Sequence, residues 1–504
     1  MKGTLMNMDS MRGWLRRTLL GGVMVGMVAA VVASPQSDRE AEYYPLQTFP
    51  IPEGIVLEAG ALQLLPGQRL AVSTRLGDIY LVDGVFGAPD KVTFKRFTSG
   101  LHEVLGLWSK GDGWIYATQR GEVTRLKDTD GDDQADVIET VADGWGINGD
   151  YHEYAFGSKP DKDGNIWVVL CLTGSFNSES LFRGWALRVT PDGQVIPTTS
   201  GLRSPGGVGT NYLGDMFYTD NQGPWNGTCW LKHLKPGGFV GHPGGFRWYN
   251  QATHLGPAPK EPLSGSRIAV ERTKIPELIP PAIAFPYNKL GQSAAGLAND
   301  YTGGKFGPFT NQLFVGDQTW SLVMRVFLEQ VNGVYQGACF PFREGLASGS
   351  LSLEMAPDGS LFVGGTDRGW GARGGKPFSL ERLRWSGKNP FEVHEMRARP
   401  DGFELTFTQP VDPASAGKTD AYQFENYTYI YQSNYGSPEV DKEKPPIESA
   451  TVAPDGRSVR LKVKLTPGHV HELKLPGVRS ALGAPLLHTV AYYWLNEIPK
   501  TAAR

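Results

Sequence analysis

The sequence predicts an all-β protein: a six-bladed β-propeller followed by a small C-terminal β-sandwich of immunoglobulin-like type. Three observations predict it. The composition is rich in both turn formers and aromatics, a short apolar run recurs six times, and the pattern changes to strict alternation after residue 392. Gly 64 and Pro 36 fill about a fifth of the 504 residues, against ~12% in average usage. The chain is also 40% hydrophobic and 11% aromatic, with 13 Trp. So much apolar side chain has a core to bury, so glycine and proline mark turns between short strands rather than disorder. Lys+Arg 49 against Asp+Glu 52 gives a formal charge of −3 with no long basic run, which excludes a nucleic-acid binder.

Residues 1–33 read as a signal peptide. Arg12, Arg16 and Arg17 precede an apolar run from Leu19 to Val32 and then Ala33-Ser34, the charged, apolar, small-residue order of an export signal. Arg16-Arg17 is also compatible with twin-arginine export. The run is shorter than the roughly 20 residues of a spanning helix, and no later segment could cross a membrane. The expected location is the periplasm, the medium or the cell envelope. Cys171, Cys229 and Cys339 stand alone, with no Cys-x-x-Cys, so no zinc knuckle or covalent haem is encoded; they read as buried small hydrophobes.

The propeller is expected over residues 45–390. Its repeating run appears as Arg69–Arg75, Gly113–Gln119, Asn165–Leu170, Asp215–Asp220, Gln312–Asp317 and Ser360–Gly365. The anchors Leu70, Trp114, Trp167, Phe217, Phe314 and Phe362 recur at the ~40–50 residues of propeller blades. One gap is about twice as long; it holds the Pro-rich residues 240–292, read as an insertion with a lid or rim role. Residues 392–498 differ. Phe403–Phe407 and Val459–Lys464 alternate strictly, as half-buried antiparallel strands do, and form the sandwich, whose expected job is packing or adhesion.

Three stretches could carry chemistry. Asp128, Asp130, Asp132, Asp136 and Glu139 occupy positions 1, 3, 5, 9 and 12 of an acidic turn, the oxygen-ligand spacing of a calcium loop. Asp133 stands at the sixth position, where glycine eases the turn, and Asp tolerates left-handed backbone better than most residues. A solvated hairpin turn is the plain alternative. In Gly149-Asp150-Tyr151-His152-Glu153, a histidine beside two carboxylates is a candidate general base, with Asp150 or Glu153 orienting the imidazole. A surface histidine in a loop has the same pattern. Gly201-Leu-Arg203-Ser204 opens a Gly-rich tract leading to Asp220 and Asn221; there the backbone lets a ligand approach and Arg203 offers a bidentate donor.

Taken in order, these stretches resemble the glucose/sorbosone dehydrogenase family, six-bladed propellers related to soluble quinoprotein glucose dehydrogenase. His152 ahead of Gly157–Asp161 and Gly164–Trp167 matches the family's catalytic histidine before its turn and strand. Gly201–Ser204, Gly223-Pro224 and Gly241-His242-Pro243 match the segments that follow. The acidic turn and Thr366–Gly371 are similar to those of membrane-bound dehydrogenase-like propellers of planctomycetes. The chain departs from the pattern at Ser204, where the family has Asn, and at Asp317-Gln318, where it has a quinone-gripping Lys. It departs again at Ser348, Ser350 and Ser352, where the family has arginines.

The resemblance implies an exported, quinoprotein-like sugar or polyol dehydrogenase. His152 takes the hydroxyl proton, calcium and pyrroloquinoline quinone (PQQ) are the cofactors, and a periplasmic electron acceptor is a partner. Arg203, Ser204, Asp220, Asn221, Asp317, Gln318 and Arg368 would hold cofactor or substrate at the mouth, with Trp225, Trp320 and Trp370 stacking on sugar faces. The alternative is a non-catalytic propeller that binds glycan or protein. A third reading makes the mouth a hydrolase or lyase site built on carboxylates and a metal.

Overall fold

A computed structural model describes residues 34–369 and 371–500; residues 1–33, read above as a signal peptide, Trp370 and residues 501–504 lie outside the described residues. The protein is all-β and propeller-like. Its unit is four antiparallel strands in chain order, seen first in Ala59–Leu65, Arg69–Thr74, Ile79–Asp83 and Thr93–Thr98. The second sheet opens with Gly106–Trp108, the third with Ala155–Pro160, the fourth with Pro205–Thr210 and the fifth with Ala294–Asn299. A sixth set opens with Ser350–Met355 and takes its outermost strand, Leu46–Thr48, from the start of the chain, with Leu46 opposite Leu383. The opening strands lie against one another in succession, and Ser350–Met355 lies against Ala59–Leu65, which closes the circle. The second strands are mostly buried; Ile166–Leu170 and Leu313–Asp317 are buried throughout.

The surplus of glycine has a structural cause on these opening strands. A Cβ on Gly106 would lie 2.3 Å from the Gly157 carbonyl oxygen, and one on Gly296 would lie 2.6 Å from that of Leu351. Only hydrogen fits between the innermost strands. Five opening strands also slip register near one level, at Ala59/Ala61, Phe156/Lys159, Pro205/Gly207, Ala294/Leu297 and Ser350/Ser352. Such bulges re-aim side chains, and Phe156, Ala295 and Leu351 at these points form part of a cavity floor.

Two sequence expectations gain detail. Segment 240–292, read as an insertion with a lid or rim role, places Tyr287 and Gln292 at the mouth, while its earlier part lies away from it. Its turns pack on the flank of the third sheet, where Tyr249 stacks on Trp185 at 4.8 Å and Trp248 donates to Ser178 Oγ at 2.7 Å. Its last part, Ile283–Phe285, is the fourth strand of the fourth sheet; three residues are too few to show alternation. The C-terminal region is also less separate than residues 392–498 imply. Val490–Leu495 pairs with the fifth sheet's last strand, Val334–Arg343, so His469–Lys474, Gln423–Tyr429 and Glu439–Glu443 extend that sheet to eight strands. A second sheet, led by Val393–Arg399 and Gly402–Phe407, shares a core with them through Phe403, Leu461, Leu473 and Tyr493.

The three cysteines are free and buried. Among the described residues no helix is long and apolar enough to cross a membrane.

Candidate functional site

In an antiparallel sheet the start of the first strand and the end of the second lie at the same edge. His152 and Ser204 precede opening strands, while Asn221, Gln318 and Arg368 follow second strands. All five therefore reach one end of the ring, where they line a cavity of about 130 Å³. Arg75, Tyr154, Arg203, Tyr287, Gln292 and Tyr435 also belong to its polar wall, over a floor that includes Leu105, Phe156 and Leu351. No Asp or Glu is among the lining residues, while Arg75, Arg203 and Arg368 are.

His152 is buried, with Nδ1 3.0 Å from the Leu172 carbonyl oxygen and Nε2 3.1 Å from Ser204 Oγ. A carbonyl can only accept, so Nδ1 carries the proton and the Nε2 lone pair accepts from the Ser204 hydroxyl. Burial first, then the charges of Arg203 and Arg120, push its pKa down to about 4, against the opposing pull of the Leu172 carbonyl. The imidazole is neutral at ordinary pH.

The carboxylates expected to orient it do something else. Asp150 accepts from the backbone N–H of His152 and of Gly174, each at 2.9 Å. Glu153 accepts from Asn148 N–H at 2.8 Å and the Thr173 hydroxyl at 2.6 Å. Both fold the loop that delivers His152; neither touches its ring. A residue the sequence did not reveal clamps the same loop. Arg183 is fully buried and donates to the carbonyls of Gly146, Glu153, Tyr154 and Arg120 at 2.7–3.0 Å.

Arg203 is 3% exposed, and among the described residues it has no ion pair. Its Nη1 donates to the Gln222 carbonyl at 2.7 Å and its Nε to that of Ser175 at 3.3 Å, while the Tyr435 ring lies 5.2 Å from its guanidinium carbon. Arg75 and Arg368 are compensated: Arg75 pairs with Glu103 at 2.6 Å and Arg368 with Glu58 at 2.8 Å. The Arg75 guanidinium also donates to the Arg368 carbonyl, joining the first and sixth sheets.

Asp220 and Asp317 do not line the mouth. Asp220 lies fully buried beneath it, accepting from Ser204 N–H at 2.7 Å, Tyr218 OH at 2.9 Å and Lys232 Nζ at 3.0 Å. Burial raises its pKa, but Lys232 and the Ser204 amide outweigh this and hold it below the usual carboxylate range. Asp317 accepts from the amides of Gln292, Ser293 and Trp320 and ties a turn together, with burial raising its pKa. Gln318 does reach the cavity, donating to the Thr366 and Arg368 carbonyls. Trp225 is buried against Tyr431, and Trp320 is half-buried with Arg373 over its ring; neither lines the cavity.

The acidic turn splits. Carboxylate oxygens of Asp128, Asp130 and Asp136 come within 4.8 Å of one another. Asp132 instead caps Gln134, and Glu139 sits on a strand paired with Arg125 at 2.6 Å. Asp133 takes the left-handed backbone expected at the sixth position, φ 64°, and its carboxylate pairs with Arg69 and Lys95.

A family model described as a domain of unknown function, DUF7133, matches residues 83–364, more than half of the chain. The chain belongs to the DUF7133 family. No curated protein matches it. Solved structures similar to this DUF7133 chain include a putative oxidoreductase (glucose dehydrogenase) from Thermus thermophilus, 18% identical, covering 68% of this chain and 99% of its own, at TM-score 0.49. A PQQ-bound aldose sugar dehydrogenase from Streptomyces coelicolor is 16% identical over 68% and 98% of the two chains, at TM-score 0.49. A Trichoderma reesei protein of carbohydrate-active enzyme family AA12 is 14% identical over 69% and 97%, at TM-score 0.48.

Proposed function

We propose that this DUF7133 chain is an exported oxidoreductase that oxidises a sugar or polyol hydroxyl at the mouth of a six-bladed propeller, with His152 as general base. The observation that carries the reading is the neutral imidazole at the cavity wall, its Nε2 lone pair satisfied only by a rotatable hydroxyl. A ligand hydroxyl that displaces the Ser204 O–H can give its proton to Nε2. The Leu172 carbonyl then holds the imidazolium by Nδ1, while Arg203 opposes its charge and favours prompt release of the proton. Asn221 and Gln318 offer amides to fix the other hydroxyls.

PQQ, a planar tricarboxylate, fits the wall in kind through Arg203, a lining arginine with no ion pair among the described residues, with Tyr287 and Tyr435 as aromatic neighbours; Arg75 and Arg368 would have to be shared between it and Glu103 and Glu58. Bound there, it would supply the two-electron acceptor that no side chain provides. Asp128, Asp130 and Asp136 are the residues that would take calcium or another hard cation in a structural role. The segment 1–33 would direct export, and the C-terminal sheets form the sandwich.

The test is to titrate the purified protein with micromolar PQQ and calcium, follow quinone absorbance, and assay dye reduction with a sugar panel. His152→Ala should abolish reduction while leaving quinone affinity within about threefold. A second reading, a glycan- or protein-binding mouth, is favoured by the pairing of Arg75 and Arg368 with Glu103 and Glu58. Absence of quinone binding together with retention on a glycan array would establish it instead.

A further inference from the structure

The cavity wall includes a residue that belongs to none of the repeating sheets. Tyr435 lies in the long loop between Gln423–Tyr429 and Glu439–Glu443 of the C-terminal region. The residue is 54% exposed; its ring lies 5.2 Å from the Arg203 guanidinium carbon and 6.5 Å from the Phe176 ring, and it lines the mouth. The loop does not merely drape there. Gly436 N–H donates to the Gly223 carbonyl at 3.0 Å, Trp225 N–H donates to that of Gln432 at 2.6 Å, and Tyr435 pairs with Pro224 in a β-bridge. Ser266 pairs with Tyr431, whose hydroxyl donates to the Gly241 carbonyl.

These contacts clamp the segment 221–227 from outside, and that segment supplies the Gln222 carbonyl on which Arg203 rests. Trp225 sits there at φ 61°, a conformation costly for a bulky side chain and held only where the surroundings over-determine it. The C-terminal loop provides that surrounding.

We propose that the C-terminal region completes the ligand site, with Tyr435 a specificity-determining residue that selects a ring-bearing anion: Arg203 receives the carboxylate and the Tyr435 face covers the ring. The idea rests on the mouth being a ligand site, as in the reading above, and is independent of any oxidation there. The chemistry follows from the pair itself. A desolvated guanidinium with no carboxylate partner favours an anion, and a partly exposed tyrosine beside it adds stacking or CH contacts to a ring.

The experiment compares the full chain with Tyr435→Ala and Tyr435→Phe in two arms. One arm measures the rate at which phenylglyoxal modifies Arg203, read by peptide mass spectrometry; the other titrates PQQ. Tyr435→Ala should speed Arg203 modification and weaken PQQ binding by about five- to tenfold each, with an unchanged melting temperature. Tyr435→Phe, which keeps the ring, should stay within about twofold of the parent in both. If wild-type protein does not bind PQQ, the quinone reading fails and the modification arm alone decides this one. Arg203 modified at the parent rate in Tyr435→Ala overturns the proposal, as does a Tyr435→Phe variant that behaves like Tyr435→Ala.

Discussion

Ser204 donates its hydroxyl to His152 Nε2 across 3.1 Å, which joins the openings of the third and fourth sheets through the one ring nitrogen that is unprotonated. The hydroxyl can donate to the neutral imidazole or, once rotated, accept from an imidazolium, so burial rather than this bond is what disfavours the charged ring. With the folded pKa depressed to about 4, Nε2 is a ready acceptor throughout the neutral range. Imidazole NMR should show His152 titrating near pH 4 and silent above pH 6. Ser204→Ala should leave that midpoint near 4, since burial sets it, and cost about 1 kcal/mol in denaturant unfolding.

Arg183 holds the loop of His152 by donating to four backbone carbonyls from a fully buried position. Arg183→Ala strips partners from all four at once and leaves a cavity. Loss of stability by roughly 3–5 kcal/mol is expected, read as a lower urea midpoint at constant slope. Arg183→Lys should recover only part, because one ammonium cannot span the carbonyls that a planar fork reaches.

Beneath the mouth, Lys232 and Asp220 form an ion pair with side chains 2% and 0% exposed. Removing only the cation strands a buried carboxylate that also receives the Ser204 amide. Lys232→Met should therefore destabilise by about 3–5 kcal/mol, and Lys232→Met with Asp220→Asn should be milder than the single change. Thermal unfolding of the three variants measures this coupling.

Much of this arrangement is legible in the sequence because its four-stranded units repeat. The six anchors, the Gly-rich opening strands and the position of His152 ahead of Ala155–Pro160 all follow from local pattern. Arg75 could have been found by the same rule that selected Asn221, since each is the residue just past a second strand. Strand-end position does not say which way a side chain turns, which is why Asp220 and Asp317 were expected in the mouth although both are buried among amides. Tyr435 was out of reach for another reason. Its contact with Arg203 spans more than two hundred residues and depends on an edge pairing, Val334–Arg343 with Val490–Leu495, that no local period encodes.

His488 predicts a stability profile with two limbs. Its ring nitrogens face Glu392 and, at 2.8 Å, Glu40, with Arg343 also beside Glu40. Both nitrogens must donate, so the ring is an imidazolium, and its pKa is raised to about 9: burial opposes the charge, but Glu392 and Glu40 outweigh it. A folded pKa above the unfolded ~6.5 stabilises fully below pH 6.5, and that contribution is lost as pH rises through 9. The cluster joins the helix Pro35–Ala41 to the C-terminal region, so this loss loosens the start of the described chain first. His152, His242 and His471 act oppositely. Burial depresses their pKa values to about 4, 3 and 3, so their contribution is complete above pH 6.5 and drains away below it. Urea midpoints should thus peak near pH 6.5–7 and fall on both sides. His488→Gln should flatten the alkaline limb, worth of order 1–3 kcal/mol, and leave the acid limb unchanged. An alkaline limb that persists in His488→Gln would assign it to another group.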